Sequence, residues 1–310
     1  MSISSYLAEL ADVENEISSA GLTQLSGVFG PDELELEEAW DGIPPERRLE
    51  VVDNLLQLSE DNVDLDFYAV FCNALEDEEP SIRERAVFGL WESEDRRTIP
   101  KLIKRLESDY EDTVRAAAAL GLGNFSELAC TNKLVQRDAE RVYQALLSSL
   151  EDEDEPVEVR RRALESVGPF LTDEVRDWIN WGYKSGDPFL RQSALNAMGR
   201  SCDESWLPLV LIEMDGDDPA IRFEAATAAG ELGGVEALPR LSELVDDTDS
   251  EVAMAAMRAI GAIGGPQAKK ILGALSTDGE ADQLKEAASD ALETIEGEDS
   301  DFSMLAHEEE

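Results

Sequence analysis

Apolar and polar positions in this chain alternate with a helical step. In residues 217–233, DDPAIRFEAATAAGELG, the side chains of Ile221, Ala225, Ala228 and Ala229 fall four, seven and eight residues along. That spacing places them on one face of an α-helix. The same frame returns along the chain. With Arg222 as marker, an apolar residue stands just before it and Ala three residues after. The frame fits again at Ile82-Arg83…Ala86, Val114-Arg115…Ala118, Val159-Arg160…Ala163 and Leu190-Arg191…Ala194. Two degenerate copies follow, Val252-Ala253…Ala256 and Leu284-Lys285…Ala288. Markers at 83, 115, 160, 191, 222, 253 and 285 lie 31 or 32 residues apart, with one interval of 45. Self-similarity at such a period is the mark of stacked helical units, each burying its apolar face on the next.

The copies share a finer grammar. Six residues after the marker the side chain is always small, from Gly89 and Gly121 to Ala259 and Ala291, and the next residue is always apolar. Eight residues after it stand Gly123, Gly168, Gly199, Gly230 and Gly261, where a helix can hand over to a turn. Asp187-Pro188 and Asp218-Pro219 have the form of an N-cap followed by proline at the first helical position. A second helical pattern precedes each copy, as at residues 98–106, 139–150, 206–214 and 237–245. Pro100, Pro208 and Pro239 recur within it, and the expectation is a helix bent by a missing hydrogen bond.

A bent first helix followed by a straight second one, at this period, resembles the HEAT repeat. The form is the short one found in bacterial HEAT-repeat proteins and in the phycobilin lyases. The resemblance runs from about residue 46 to residue 295. It implies an all-α fold, a right-handed α-α superhelix of about seven to eight helical hairpins. The expected organisation is an N-terminal segment and cap over residues 1–45, partly flexible and anchored by Trp40. A repeat solenoid over 46–296 and an acidic flexible tail over 297–310 follow. Residues 46–58 and 64–75 read as a first helical pair without the Arg marker. The long interval places a surface loop at 125–138, holding Cys130, Lys133 and Arg137.

In solenoids of this family the second helix of each pair lines the concave surface. On the register above, outward residues fall near offsets of two, five and nine from the marker. Phe88 and Leu120 occupy the fifth offset, where later copies carry Glu165, Asn196, Thr227, Arg258 and Asp290. With Trp91 they form an expected apolar spot on a charged face, a feature that often marks a partner site. The alternative is that the N-terminal segment folds back and covers them. Arg162 belongs to a basic triplet next to the acidic run 151–155 and is expected to pair locally. Arg83, Arg115, Arg160, Arg191 and Arg222 are expected to be structural, reaching acids or carbonyls of an adjacent repeat. Trp178 and Trp181 lie three apart on one helical face and read as packing between repeats.

Charge changes the functional picture. There are 26 Lys and Arg against 70 Asp and Glu, a formal net charge of −44, and only seven of the bases are Lys. Such a surface repels nucleic acid and anionic lipid. It also suits a salty cytoplasm. No apolar run approaches the ~20 residues of a membrane span, and MSISSYLAELADVENE has neither a basic start nor an apolar core. Three widely spaced cysteines, Cys72, Cys130 and Cys202, read as reduced thiols. The expectation is therefore a cytoplasmic monomer.

Candidate chemistry is absent. The one histidine is His307, no metal-ligand spacing occurs, and there is no phosphate loop, dinucleotide fingerprint or nucleophile elbow. No cofactor is expected. The reading is a non-catalytic protein–protein interaction scaffold that holds a protein partner, expected to have a basic surface, on the concave face. A phycobilin-lyase-like tetrapyrrole-handling role stays open as the alternative that the resemblance implies, with Phe88, Trp91 and Arg162 in the groove. An assembly-factor role without a stable partner is the third reading. Self-repulsion among so many carboxylates leads to a prediction. The melting temperature, followed by circular dichroism, should rise between low and high salt as screening shortens the Debye length to ~3 Å at 1 M; a melt indifferent to salt contradicts it.

Overall fold

The computed structural model describes residues 3–278 and 285–293. Among these all regular structure is helical. The chain divides into two compact units, Met1–Val167 and Gly168–Glu310.

The first unit holds α1 (Ile3–Leu10), α2 (Ser19–Leu22), α3 (Pro31–Trp40), α4 (Pro45–Asp61), α5 (Tyr68–Ala74), α6 (Pro80–Gly89), α7 (Ile99–Ser108), α8 (Asp112–Cys130), α9 (Gln136–Glu151) and α10 (Val157–Val167). Helices α5/α6, α7/α8 and α9/α10 are packed pairs. Their second members stack in order, α4 on α6, α6 on α8 and α8 on α10. The second unit holds α11 (Asp173–Lys184), α12 (Pro188–Arg200), α13 (Leu207–Glu213), α14 (Pro219–Leu232), α15 (Leu238–Leu244), α16 (Ser250–Ile263) and α17 (Gly265–Asp278). Its pairs are α11/α12, α13/α14 and α15/α16, with α12, α14 and α16 stacked. Residues 285–293 are helical and follow α17.

The recurring prolines do not bend helices. Pro100, Pro208 and Pro239 each sit in the first turn of α7, α13 and α15. A short 3-10 turn precedes the last two, Glu204–Trp206 and Val235–Ala237. A first-turn N–H has no intrahelical acceptor, so proline costs nothing there and its fixed φ helps to start the helix.

The glycines eight residues after the marker have a different task from the one their position suggests. Gly199, Gly230 and Gly261 lie inside the last turns of α12, α14 and α16. A Cβ at Gly230 would stand 2.8 Å from Ala259 Cα, and one at Gly199 would stand 2.7 Å from Ala228 Cα. At Gly168 the distance to Ala197 Cα would be 3.0 Å, and at Gly261 the Ala291 Cβ would be 3.2 Å away. Each glycine thus faces the small residue at offset six of the following repeat. The two backbones touch because neither position carries a larger side chain. The helix end itself is made by Gly233, three residues further on, in the left-handed region at φ 72°.

Three other expectations change. The N-terminal residues, expected to be partly flexible, form α1, α2 and α3, with Tyr6, Leu7, Leu10, Leu22, Leu25, Leu36 and Trp40 buried. Helix α1 packs on α3 and α2 on α4. The surface loop expected at 125–138 is mostly helix, because Leu122, Phe125 and Leu128 continue the apolar face of α8 to Cys130. Asn132 then turns the chain at φ 59°, while the N–H groups of Lys133 and Leu134 donate to Leu128 O at 2.8 and 3.1 Å. Finally, α4 is not the first member of a pair with α5. It is a second helix stacked on α6, preceded by α3. The notion of a tail over 297–310, and the last residues of the repeat region to 296, lie outside the described residues.

The close approach yields a paired prediction. Gly230→Ala should lower stability by about 1–3 kcal/mol through overpacking against Ala259, despite the better helix propensity of Ala. Gly273→Ala in α17, where a Cβ meets nothing within 4 Å, should be neutral or raise stability by up to about 1 kcal/mol. Urea denaturation of the two variants checks both; equal effects would overturn the close-approach account.

Candidate partner-binding surface

The marker arginines start the second helices, and the guanidinium groups of Arg83, Arg115 and Arg222 reach in two directions. Arg83 Nη1 donates to Asp77 O at 2.8 Å, in the loop before its own helix. Its Nε and Nη2 donate to Asp109 Oδ2 and Oδ1 at 2.7 and 2.6 Å, just beyond α7 of the next pair. Arg222 repeats the pattern. It donates to Gly216 O and Asp217 O at 3.0 Å, and to both Asp247 oxygens at 2.7 and 2.8 Å, beyond α15. Arg115 bonds Asp109 O at 2.8 Å and Glu155 at 2.7 Å. Arg191 bonds both Glu213 oxygens at 2.7 Å, and Arg160 bonds Leu150 O at 2.9 and 3.2 Å.

A further member was not legible as one. Arg48 on α4 is 1% exposed and pairs with Asp77 at 3.1 Å, beyond α5. Val51 and Asn54 stand where other copies carry Ala and a small residue, so the repeat frame does not reveal it. Trp40 Nε1 donates to the same Asp77 at 2.6 Å.

The accepting aspartates do more than neutralise charge. Asp77, Asp109 and Asp247 each also accept the backbone N–H two residues on, from Glu79, Glu111 and Asp249, at 2.9, 3.2 and 2.9 Å. That local turn leads the chain into the next second helix. Burial pushes the Asp109 carboxyl up, but the hydrogen bonds and charge of Arg83, with help from Arg105, hold it below the usual carboxylate range. At Asp247 the Arg222 hydrogen bond dominates over burial, and the carboxyl again lies low.

The residues that could contact a partner lie on the stacked second helices of the first unit. Phe88 on α6 and Leu120 on α8 are half-buried. Trp91 lies in the turn after α6 and is 40% exposed, its N–H bonded to Phe88 O at 3.2 Å. Arg162 on α10 is not free. It donates to Glu158 and Glu165 at 3.0 Å, within its own helix. Burial works against its charge, yet these two acids raise its pKa. Arg161 joins the same acids, and Arg115 holds Glu155, so the acidic run at 151–155 binds a different arginine from its sequence neighbours. Trp178 and Trp181 on α11 are half-buried and meet edge-on, with ring centroids 5.3 Å apart. Tyr110 is an exposed aromatic that the repeat frame does not single out. It is 69% exposed, its ring lies 4.8 Å from the Arg83 guanidinium and its hydroxyl donates to Glu78 O.

Paired helices with stacked second members, a period near 31 residues and this two-way arginine define an α-helical repeat protein. A model of the HEAT repeats matches residues 68–157 and 207–293, more than half of the chain, and the chain belongs to that family. No curated protein matches it. Human deoxyhypusine hydroxylase in complex with glycerol is similar at 18% identity, over 95% of this chain and 96% of that one, with a TM-score of 0.37. The CpcE–CpcF complex of phycocyanin lyase from Nostoc sp. PCC7120 is similar at 16% identity, over 74% and 94%, with a TM-score of 0.48. The Kap95:Nup1 complex is similar at 14% identity, over 94% and 46%, with a TM-score of 0.49. The family assignment rests on the repeat match, not on these structures. Among the described residues no helix is long and apolar enough to cross a membrane, and no group of three or more His, Cys, Asp or Glu could hold a metal ion.

The lowered Asp247 carboxyl predicts a pH signature. Asp247→Asn should cost about 1.5–3 kcal/mol at pH 5–7, where the charged hydrogen bonds to Arg222 are intact. The contribution is fully present above the unfolded carboxylate pKa of ~4 and fades as pH falls through the lower folded value. Urea midpoints of wild type and variant should therefore converge below about pH 4; a constant gap down to pH 2 would contradict the pairing.

Proposed function

We propose that this chain is a non-catalytic scaffold that holds a protein partner on the face formed by its second helices, concave in solenoids of this family. The observation that carries the reading is the apolar set Phe88, Trp91 and Leu120. Phe88 and Leu120 sit on two stacked second helices, α6 and the adjoining α8, and Trp91 in the turn after α6, in a chain with a net charge of −44. An indole left 40% exposed just after α6, with Phe88 on α6 and Leu120 on α8 half-buried, supplies the kind of anchor that interfaces use at their centres. The rest of the surface steers. An excess of carboxylates speeds encounter with a basic partner and turns away acidic ones. Membership of a family built from stacked helix pairs supports a scaffold over a catalyst, as does the way Arg162 is consumed by its own helix. In this reading Arg83, Arg115, Arg191 and Arg222, with Arg48, serve the scaffold by tying one repeat to the next, and Arg160 by tying the two helices of its own pair.

The test is affinity capture from the source organism's lysate with wild type beside a Phe88→Glu/Leu120→Glu double variant of equal helicity. The expected result is a protein retained by wild type and depleted at least about tenfold on the variant, since losing two apolar anchors removes about 1.5–3 kcal/mol each. The same proteins retained on both baits would displace the site from this surface.

A further inference from the structure

The first helices α3, α5 and α7 leave an open cleft of about 290 Å³ between them. Glu33, Leu36 and Glu37 line it from one face of α3. Tyr68, Ala69, Cys72 and Asn73 line it from α5, with Glu76 just beyond. Arg97 and Lys101 come from the start of α7. Several of these groups are already satisfied. Glu76 accepts from Lys104 and Arg105 at 2.6 and 2.9 Å. Arg97 donates to Asp95 Oδ2 at 2.6 and 2.9 Å. The Tyr68 hydroxyl accepts from Thr98 Oγ1 at 3.3 Å. Burial pushes the Tyr68 pKa up to about 12 and likewise raises the Cys72 thiol, so both side chains are neutral.

What remains is polarised. Glu33 and Glu37 are exposed, and neither makes a hydrogen bond or salt bridge among the described residues. One helical turn apart, the two carboxylates repel each other. On the other side, the Lys101 ammonium has no acceptor among the described residues, and Asn73 Nδ2 is buried with no hydrogen-bond partner. Charges reach across the cleft, Glu33 acting on Arg97 and Lys101 on the Cys72 thiol. A bare anion meets Glu33, Glu37 and the field of a chain at −44, while a bare cation meets Lys101 and Arg97. A zwitterion matches both sides and, being neutral overall, is not turned away by that field. No single group selects this ligand; the opposition of unpaired acids and unpaired donors within one cleft does.

We propose that the cleft between α3, α5 and α7 binds a small amino carboxylate whose two charges are separated by a methylene chain. Its ammonium lies against Glu33 and Glu37, its carboxylate against Lys101 and Asn73, and its chain over Leu36 and Ala69. The inference does not rest on the Phe88–Leu120 surface, which the second helices carry.

The experiment is calorimetric titration of the full chain at low salt with ε-aminocaproate, beside hexylamine and caproate, which each keep only one of its charged ends. The expected result is that ε-aminocaproate binds at least about tenfold more tightly than either, because each lacks one set of charged hydrogen bonds. Lys101→Gln should weaken ε-aminocaproate about tenfold without weakening hexylamine, and Glu33→Gln/Glu37→Gln should weaken it about tenfold without weakening caproate. Neither variant removes a bond that the fold uses, so both should melt with wild type. Saturating ε-aminocaproate should also slow alkylation of Cys72 by iodoacetamide at least about threefold, while the exposed Cys130 and Cys202 react at unchanged rates, as read by mass spectrometry of the peptides. Absence of heat up to tens of millimolar, equal binding of the single-ended compounds, indifference to both variants, or unslowed alkylation of Cys72 would overturn the proposal.

Discussion

Successive second helices come within backbone contact, and the other features of the fold follow from that closeness. Gly199 against Ala228, and Gly230 against Ala259, leave no room for even one methyl group. Such contacts maximise dispersion per residue and need no large side chains. They explain how a chain with only 6% aromatics builds its interior from alanine, leucine and valine. Backbones this close slide easily past one another unless something fixes their register, because small side chains interlock poorly.

The two-way arginine ties neighbouring repeats together. A guanidinium is a planar fork with five donors, so it can hold a carboxylate with two and a carbonyl with another. In Arg83 the carbonyl belongs to the loop before its helix and the carboxylate to the next pair. The same aspartate then shapes the turn into the next second helix. One side chain thus ties three pieces of backbone from two repeats. The group is 2% exposed, and a buried pair of this kind brings specificity of arrangement more surely than net stability. Its repetition also shapes the surface. Arginines committed to these ties are unavailable to balance carboxylates outside, and the net charge of −44 is carried largely by solvent-facing acids.

Much of this was legible from the residues. The period, the all-helical class and the apolar face of each second helix all follow from offsets of three, four and seven around one marker. Arg48 was not legible, because Val51 and Asn54 break the frame while the guanidinium still finds Asp77. Nor were its acid partners. They lie between 22 and 40 residues from their arginines, and a chain with 70 acids offers too many choices. Helices α1 and α2 escaped because their apolar residues are few and short-range, and become meaningful only when Leu7, Leu10 and Leu22 are buried.

The sequence by itself determined which residues face inward and how often the unit repeats, since both are local properties of a helical step. It could not determine what a glycine or a proline does within that unit. Pro100 reads equally as a bend or a start, and Gly230 equally as a helix end or a contact. The choice depends on where the helix begins and what approaches it from the next repeat. Tertiary structure decided both. It set α7 to begin at Ile99 and brought Ala259 against Gly230, because excluded volume between two backbones acts only once they are packed.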